Sequence, residues 1–167
     1  MASDFANDVL AIYKAPYSKL LSPFSVKFEN ETSVGGGPVR EFFSLLMSMI
    51  MNGFLLEGEN KPLTLVFEGE ADHKVPVANS LLRSTGFYKS IGRMIGHSFL
   101  HGGPPVFGLS SAVIDYLIDV NKESLPTFEV ADIPDIDLRN ALLEVQFNLS
   151  RVQLITLLGS ILTIIYS

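Results

Sequence analysis

GFYKSIGRMIGHSFLHGGPP, residues 86–105, decides how the chain is read. Phe87, Ile91, Met94, Ile95, Ser98 and Phe99 recur at helical spacing, which predicts a helix from Gly86 to Leu100 with one buried face. Gly102-Gly103-Pro104-Pro105 ends it, because proline cannot continue the hydrogen-bond ladder and glycine favours a turn. Gly92 and Gly96, four apart, would let a neighbouring backbone approach that helix closely.

Other helices surround this one. Downstream, Ser110 or Ser111 caps a helix through Asp119, with Val113, Tyr116 and Leu117 expected to turn inward. Asp132 to Pro134 read as a turn, and Asp137 starts a further helix through Leu143. Upstream, Ser3 caps a helix from Asp4 to about Tyr13 that buries Val9, Leu10 and Tyr13. Gly35, Gly36 and Gly37 form a joint, and Pro38 suits the first position of a helix from Val39 to about Asn52, closed by Gly53. Strand patterns are short: Val26 and Phe28 alternate with Lys27 and Glu29, and Leu63, Leu65 and Phe67 alternate with Thr64 and Val66 before Gly69. The fold class expected is α+β, mostly helical with short strands.

The composition suits a packed domain and excludes several functions. Of the 167 residues, 47% are hydrophobic, enough for a real core. Twelve basic against eighteen acidic side chains leave a net charge of −6, which argues against a nucleic-acid surface. The chain has no cysteine, so disulfides, thiolate nucleophiles and cysteine-bound zinc are excluded together. Asp4 and Asp8 stand where a signal peptide would carry Lys or Arg, so the expected location is cytoplasmic or nuclear.

Few residues suggest chemistry. His97 and His101 share a helical face at the spacing zinc proteases use, but the intervening Ser98-Phe99-Leu100 lacks the required Glu. Two helix-end histidines, with His101 favoured by the helix dipole, account for them better. The glycine run before Val39 continues Pro38-Val39-Arg40-Glu41 rather than Gly-Lys-Ser, so a tight turn is preferred to a phosphate loop. Glu41 is expected to gain from the dipole at the helix start. No Ser/His/Asp grouping carries a supporting motif. Read from its residues, the chain has no catalytic, cofactor-binding or metal site.

Four segments together carry a family resemblance. VKFENETSVGGGPVREFF (26–43) has a strand, a glycine pair and an Arg-Glu-aromatic helix start. LVFEGEADHKVPVANSLL (65–82) has a Phe-Glu-Gly strand turning into a helix. FYKSIGRMIGHSFLHGGPPVFGLSSAVIDYLI (87–118) has a Gly-Arg-x-x-Gly helix, a loop and another helix. DIPDIDLRNALLEV (132–145) has an acidic turn and a Leu-rich helix. In this order they resemble the amino-terminal lobe of HECT-type ubiquitin ligases, and the Gly-Gly-Gly-Pro and His-Gly-Gly-Pro forms are most similar to the vertebrate cell-cycle-specific group.

The resemblance implies the large subdomain of that lobe over 1–145, with Gly36, Gly37, Arg40 and Glu41 as structural signature positions. It also implies a parent activity, ubiquitin transfer through a ligase cysteine to a substrate lysine. This chain lacks that cysteine and is expected to be inactive alone. A ubiquitin-conjugating enzyme would be a partner only if the missing parts of the lobe were supplied. Val34 and Gly35 depart from the pattern, which commonly has an acidic residue there, and from Gln146 the resemblance ends. Residues 146–167 are read as an apolar helical tail.

Within that tail, Val152–Ser167 carries no charge and is shorter than the roughly 20 residues that span a bilayer. A helix over Val152 to Tyr166 that covers bare apolar surface, within the chain or by self-association, is expected rather than a membrane anchor. The alternative function is therefore a non-enzymatic interaction or dimerisation module, and behind it a peripheral membrane protein held through the tail.

Overall fold

The computed structural model describes residues 2–15, 21–28, 36–55, 63–119, 121 and 125–165. The fold is α+β and dominated by helix: α1 (Ala2–Lys14), α2 (Gly36–Asn52), α3 (Ser80–Ser84), α4 (Phe87–Leu100), α5 (Ser111–Ile118) and α6 (Ile136–Ile165). The strands are two residues each: β1 (Phe54–Leu55), β2 (Leu63–Thr64), β3 (Phe67–Glu68) and β4 (Val75–Pro76). β1 and β2 pair antiparallel, with Phe54 opposite Thr64 and Leu55 opposite Leu63. The chain divides into two compact units, one of Met1–Glu68 and Pro76–Gly108, the other of Gly69–Val75 and Leu109–Ser167.

The first unit holds nearly all of the apolar core. On α1, Ala6, Val9, Leu10 and Tyr13 recur at helical spacing and are buried. On α2 the same holds for Phe42, Phe43, Leu46, Met47 and Ile50, and on α4 for Phe87, Ile91 and Met94. Each fully buried side chain of this size stabilises by about 1.5–3 kcal/mol before conformational entropy is counted. The α4 face differs in part from expectation, since Ser90 and His97 join it while Phe99 is exposed. The loop after α4 folds back on the helix, with the Gly103 N–H bonded to the Ser98 carbonyl at 2.8 Å and the Ser98 hydroxyl to the Pro104 carbonyl at 3.1 Å. A Cβ on Gly103 would press on Ser98 Oγ and lie 2.8 Å from Phe43 Cβ. The close approach expected at Gly92 and Gly96 is made here instead; a Cβ on either of those two meets nothing within 4 Å.

The expected strands are only partly formed. Phe24, Val26 and Phe28 are half-buried and alternate with exposed Pro23, Ser25 and Lys27, yet 23–28 make no ladder among the described residues. Alternation reports which side faces the core, whereas a strand also needs a hydrogen-bonding neighbour. The 63–69 strand breaks in two. Leu63 and Leu65 are exposed, while the adjacent Val66 and Phe67 are both buried, which one flat strand cannot achieve. The chain bends there, and the Val66 carbonyl accepts from the Val77 N–H at 3.0 Å.

The second unit is organised by polar groups. Gly69 follows β3 with φ +107, and a Cβ would sit 2.7 Å from the His73 carbonyl oxygen, so only glycine fits this turn. Ser110 caps α5 as expected, its hydroxyl accepting from the Val113 N–H at 3.2 Å. Tyr116 and Leu117 are nevertheless exposed, and Ala112 is the buried residue of that helix. Asp135 caps α6, its Oδ1 accepting from the N–H groups of Asp137 and Leu138 at 3.0 Å each.

α6 corrects a further expectation. The two helices read at Asp137–Leu143 and Val152–Tyr166 are joined into one helix of 30 residues, Ile136–Ile165, in which the boundary after residue 145 falls. Residues 144–151, Glu-Val-Gln-Phe-Asn-Leu-Ser-Arg, contain no Gly or Pro to interrupt it. Tyr166 lies outside the described residues. From Asn140 to Gln153 every side chain on α6 is exposed. No described helix is long and apolar enough to cross a membrane.

Arg93, from the Gly-Arg-x-x-Gly segment, ties α4 to the end of α1. Its Nη1 donates to the carbonyls of Tyr13 at 2.9 Å and Ala15 at 3.1 Å, placing a cation at a helix carboxyl terminus. Arg93→Ala should lower unfolding stability by about 1.5–3 kcal/mol, the range for hydrogen bonds to a charged group. Urea denaturation of the full chain measures it, and a loss under 0.5 kcal/mol, the range of an ordinary surface substitution, would show that the contact contributes nothing.

Candidate functional site

The signature positions lie on one exposed end of α2. The helix begins at Gly36, three residues earlier than expected, so Gly36, Gly37 and Pro38 form its first turn. Proline is tolerated there because its missing N–H would have no intrahelical partner. Arg40 and Glu41 consequently sit beyond the first turn, which contains no acidic residue. The dipole effect expected for Glu41 fades over that distance. Both side chains are exposed and make no hydrogen bond or ion pair among the described residues. A Cβ on Gly36 or Gly37 meets nothing within 4 Å, so close packing does not require glycine at either. The structure brings these four residues together along the sequence and brings no other chemistry to them.

The densest grouping of functional side chains is in the first unit, around His97. Its imidazole is 1% exposed, and Nδ1 shares a hydrogen bond of 2.6 Å with the Tyr13 hydroxyl. The rings of Phe24 and Phe43 stand edge-on to it, with centroids 4.6 and 5.3 Å away, and His101 is 4.7 Å away at 89°. Burial, and next the neighbouring His101, push the His97 pKa down from 6.5 to about 4. The imidazole is therefore neutral at pH 7, hydrogen-bonded and closed to solvent. It braces α1 against α4 and has no access to a substrate. The reading of His97 as a simple helix-end residue missed this, and nothing in the sequence pairs it with Tyr13, 84 positions away.

A second polar grouping lies in the other unit. Asp132 has no exposed side-chain surface; Oδ1 pairs with His73 Nδ1 at 2.9 Å and Oδ2 accepts from the Glu129 N–H at 2.9 Å. Arg139 donates through Nε to the Ile133 carbonyl at 3.0 Å and through Nη1 to the Glu70 carboxylate. A carboxylate orienting an imidazole is the arrangement that positions a general base, but that chemistry also needs a nucleophile within reach. No Ser or Thr hydroxyl bonds His73 among the described residues. These contacts fasten the 69–75 turn to the start of α6. An open cleft of about 450 Å³ is lined, among the described residues, by Asp115, Ile118, Asp119, Leu125, Pro126 and Thr127.

Among the described residues no group of three His, Asp or Glu side chains is placed to hold a metal ion. No family model, no curated protein and no solved structure matches the chain.

The buried imidazole makes stability depend on pH. The folded pKa of His97 lies below its unfolded value, so unfolded chains take up the proton first as pH falls. The neutral-imidazole contribution is fully present above pH 6.5 and is lost as pH falls toward 4, at up to about 1.4 kcal/mol per pH unit. Denaturation from pH 7 to 5 should show a steeper loss in the wild type than in His97→Gln. Ring-proton NMR should place the His97 titration well below the ordinary range, and a midpoint near 6.5 would refute the burial argument.

Proposed function

We propose that the chain is a non-catalytic portion of a HECT-type ligase, equivalent to the large subdomain of its amino-terminal lobe. The observation that carries this reading is the order of the four matching segments along the chain. Their elements support it: the glycine run opens α2, Gly69 follows β3, the Gly-Arg-x-x-Gly motif lies on α4, and the acidic turn leads into α6. Arg93, Gly103 and Asp132, all within those segments, have defined structural work. That suits a region whose shared residues serve the scaffold rather than the reaction.

In the parent reaction, ubiquitin passes from the conjugating enzyme to a ligase cysteine as a thioester and then to a substrate lysine. Each thioester step needs a thiolate, and this chain has none. Its part in such a ligase is to present and brace surfaces for elements that carry the chemistry, in the cytoplasm or nucleus.

Two experiments test the reading. Incubated with activating enzyme, a panel of conjugating enzymes and ubiquitin, the chain alone should give no thiol-sensitive adduct on a non-reducing gel. Residues 26–145 grafted in place of the corresponding segment of an active HECT ligase should yield a folded chimera that still forms the ubiquitin thioester. A chimera that folds but forms none refutes the assignment.

A further inference from the structure

Phe24 touches rings on two helices at once. Its centroid lies 4.6 Å from His97 and 5.8 Å from His101 on α4, and 5.3 and 5.6 Å from Phe42 and Phe43 on α2. The segment that carries it, residues 21–28, belongs wholly to the first unit and forms neither helix nor ladder. Among the described residues it makes no backbone hydrogen bond to the helices or strands. Its described attachment is the half-buried side chains of Phe24, Val26 and Phe28. The other walls around His97 are fixed more firmly. α1 buries Ala6, Val9, Leu10 and Tyr13 and is held at its end by Arg93, and α2 buries a full apolar face. Of the titratable and charged groups described, Tyr13 faces His97 from α1 and His101 faces it from α4, where Arg93 is occupied by the Tyr13 and Ala15 carbonyls. From α2 and from 21–28 it meets phenyl rings.

We propose that residues 21–28 are a proton-operated strap: when His97 takes up a proton, the strap lifts Phe24 from the joint while α1, α2 and α4 stay folded. The proposal stands independently of the ligase reading. A cation at His97 needs water or a counter-charge. No carboxylate faces it among the described residues, and His101 repels it. Water is admitted most cheaply by removing the wall that is held without backbone hydrogen bonds. The Tyr13 hydroxyl has a lone pair for a protonated Nδ1, so the contact between α1 and α4 survives the change. Proton uptake and strap opening are reciprocal. Closed, the ring titrates at about 4 against an ordinary 6.5, so it holds its proton about 300-fold more weakly. Closure is therefore favoured in full above pH 6.5, and acid shifts the balance toward opening by up to that factor as pH falls to 4.

The chain has no tryptophan, so Phe24→Trp places a single indole on the strap. Acrylamide quenching of that indole should rise at least about twofold as pH falls from 6.5 to 4, while the far-ultraviolet helix signal holds. Adding His97→Gln, which keeps a hydrogen-bonding group but removes the proton-binding ring, should abolish the rise. In the wild-type chain, nuclear Overhauser contacts between the Phe24 and His97 rings should fade over the same range, while those between Tyr13 and His97 persist. That readout is independent of how well either variant folds. Quenching that stays flat, a helix signal lost at the same midpoint, an equal rise with His97→Gln, or Phe24 contacts that outlast those of Tyr13 would each overturn the proposal.

Discussion

The hydrogen bond between Tyr13 and His97 is the contact on which the first unit is assembled. α1 supplies the phenol and α4 the imidazole, while Phe43 of α2 and Phe24 of the preceding segment close the aromatic wall. A neutral imidazole suits that position because it makes a directed polar contact without the cost of burying a charge. Replacing it by an apolar ring would take that partner from a buried hydroxyl, and a protonated imidazole would face a second histidine 4.7 Å away. The geometry of the helices and the lowered pKa thus share one cause, which is exclusion of water from a site that still requires a hydrogen bond. Arg93 reinforces the joint by holding the carboxyl end of α1 in place.

The second unit follows a different logic. Among its described residues the only buried hydrophobic one is Ala112, while Ser110, Asp132 and Arg139 are buried polar groups. Both Asp132 oxygens are occupied, and Arg139 reaches two separate segments. Such contacts give direction to a turn and to a helix start, but each contributes only modestly compared with burying an apolar side chain. Where the first unit gains stability by covering hydrophobic surface, this one leaves most of its described large hydrophobic side chains uncovered along α5 and α6.

Features governed by neighbours in sequence were legible from sequence. The span of α4, its glycine and proline stop, the Ser110 cap and the buried face of α1 all arise from local spacing and local hydrogen bonds. Val26 and Phe28 show the limit of that logic, because their alternation gives the correct sides but cannot supply a partner strand. α6 reads as two helices because its charge-free end differs in composition, although continuity depends on the absence of a breaker between residues 144 and 151. The joints were illegible for another reason. Tyr13 with His97, and His73 with Asp132, are separated by 84 and 59 positions, and no periodicity links them. Gly103 likewise matters through its distance from Phe43, which only the folded chain defines.

The histidine, aspartate and arginine side chains at the two joints are thus engaged in holding the structure. His97, His73, Asp132, Arg93 and Arg139 each have defined partners, and no buried side-chain nitrogen or oxygen among the described residues lacks one. Catalytic sites usually leave a group poised, with a shifted pKa and access to a ligand. Here the imidazole with the shifted pKa is sealed, and the more accessible His73 is bound to a carboxylate that fixes a turn. What the chain leaves unsatisfied is apolar surface rather than a polar group. Apolar surface is non-directional, and it acquires selectivity only when side-chain sizes and the placement of charges restrict what can lie against it. On α6 the charges at 137, 144 and 151 keep to one line, while Phe147 and Val152 are exposed on different sides of the rest of the helix, so its apolar surface has no single face and little selectivity of its own.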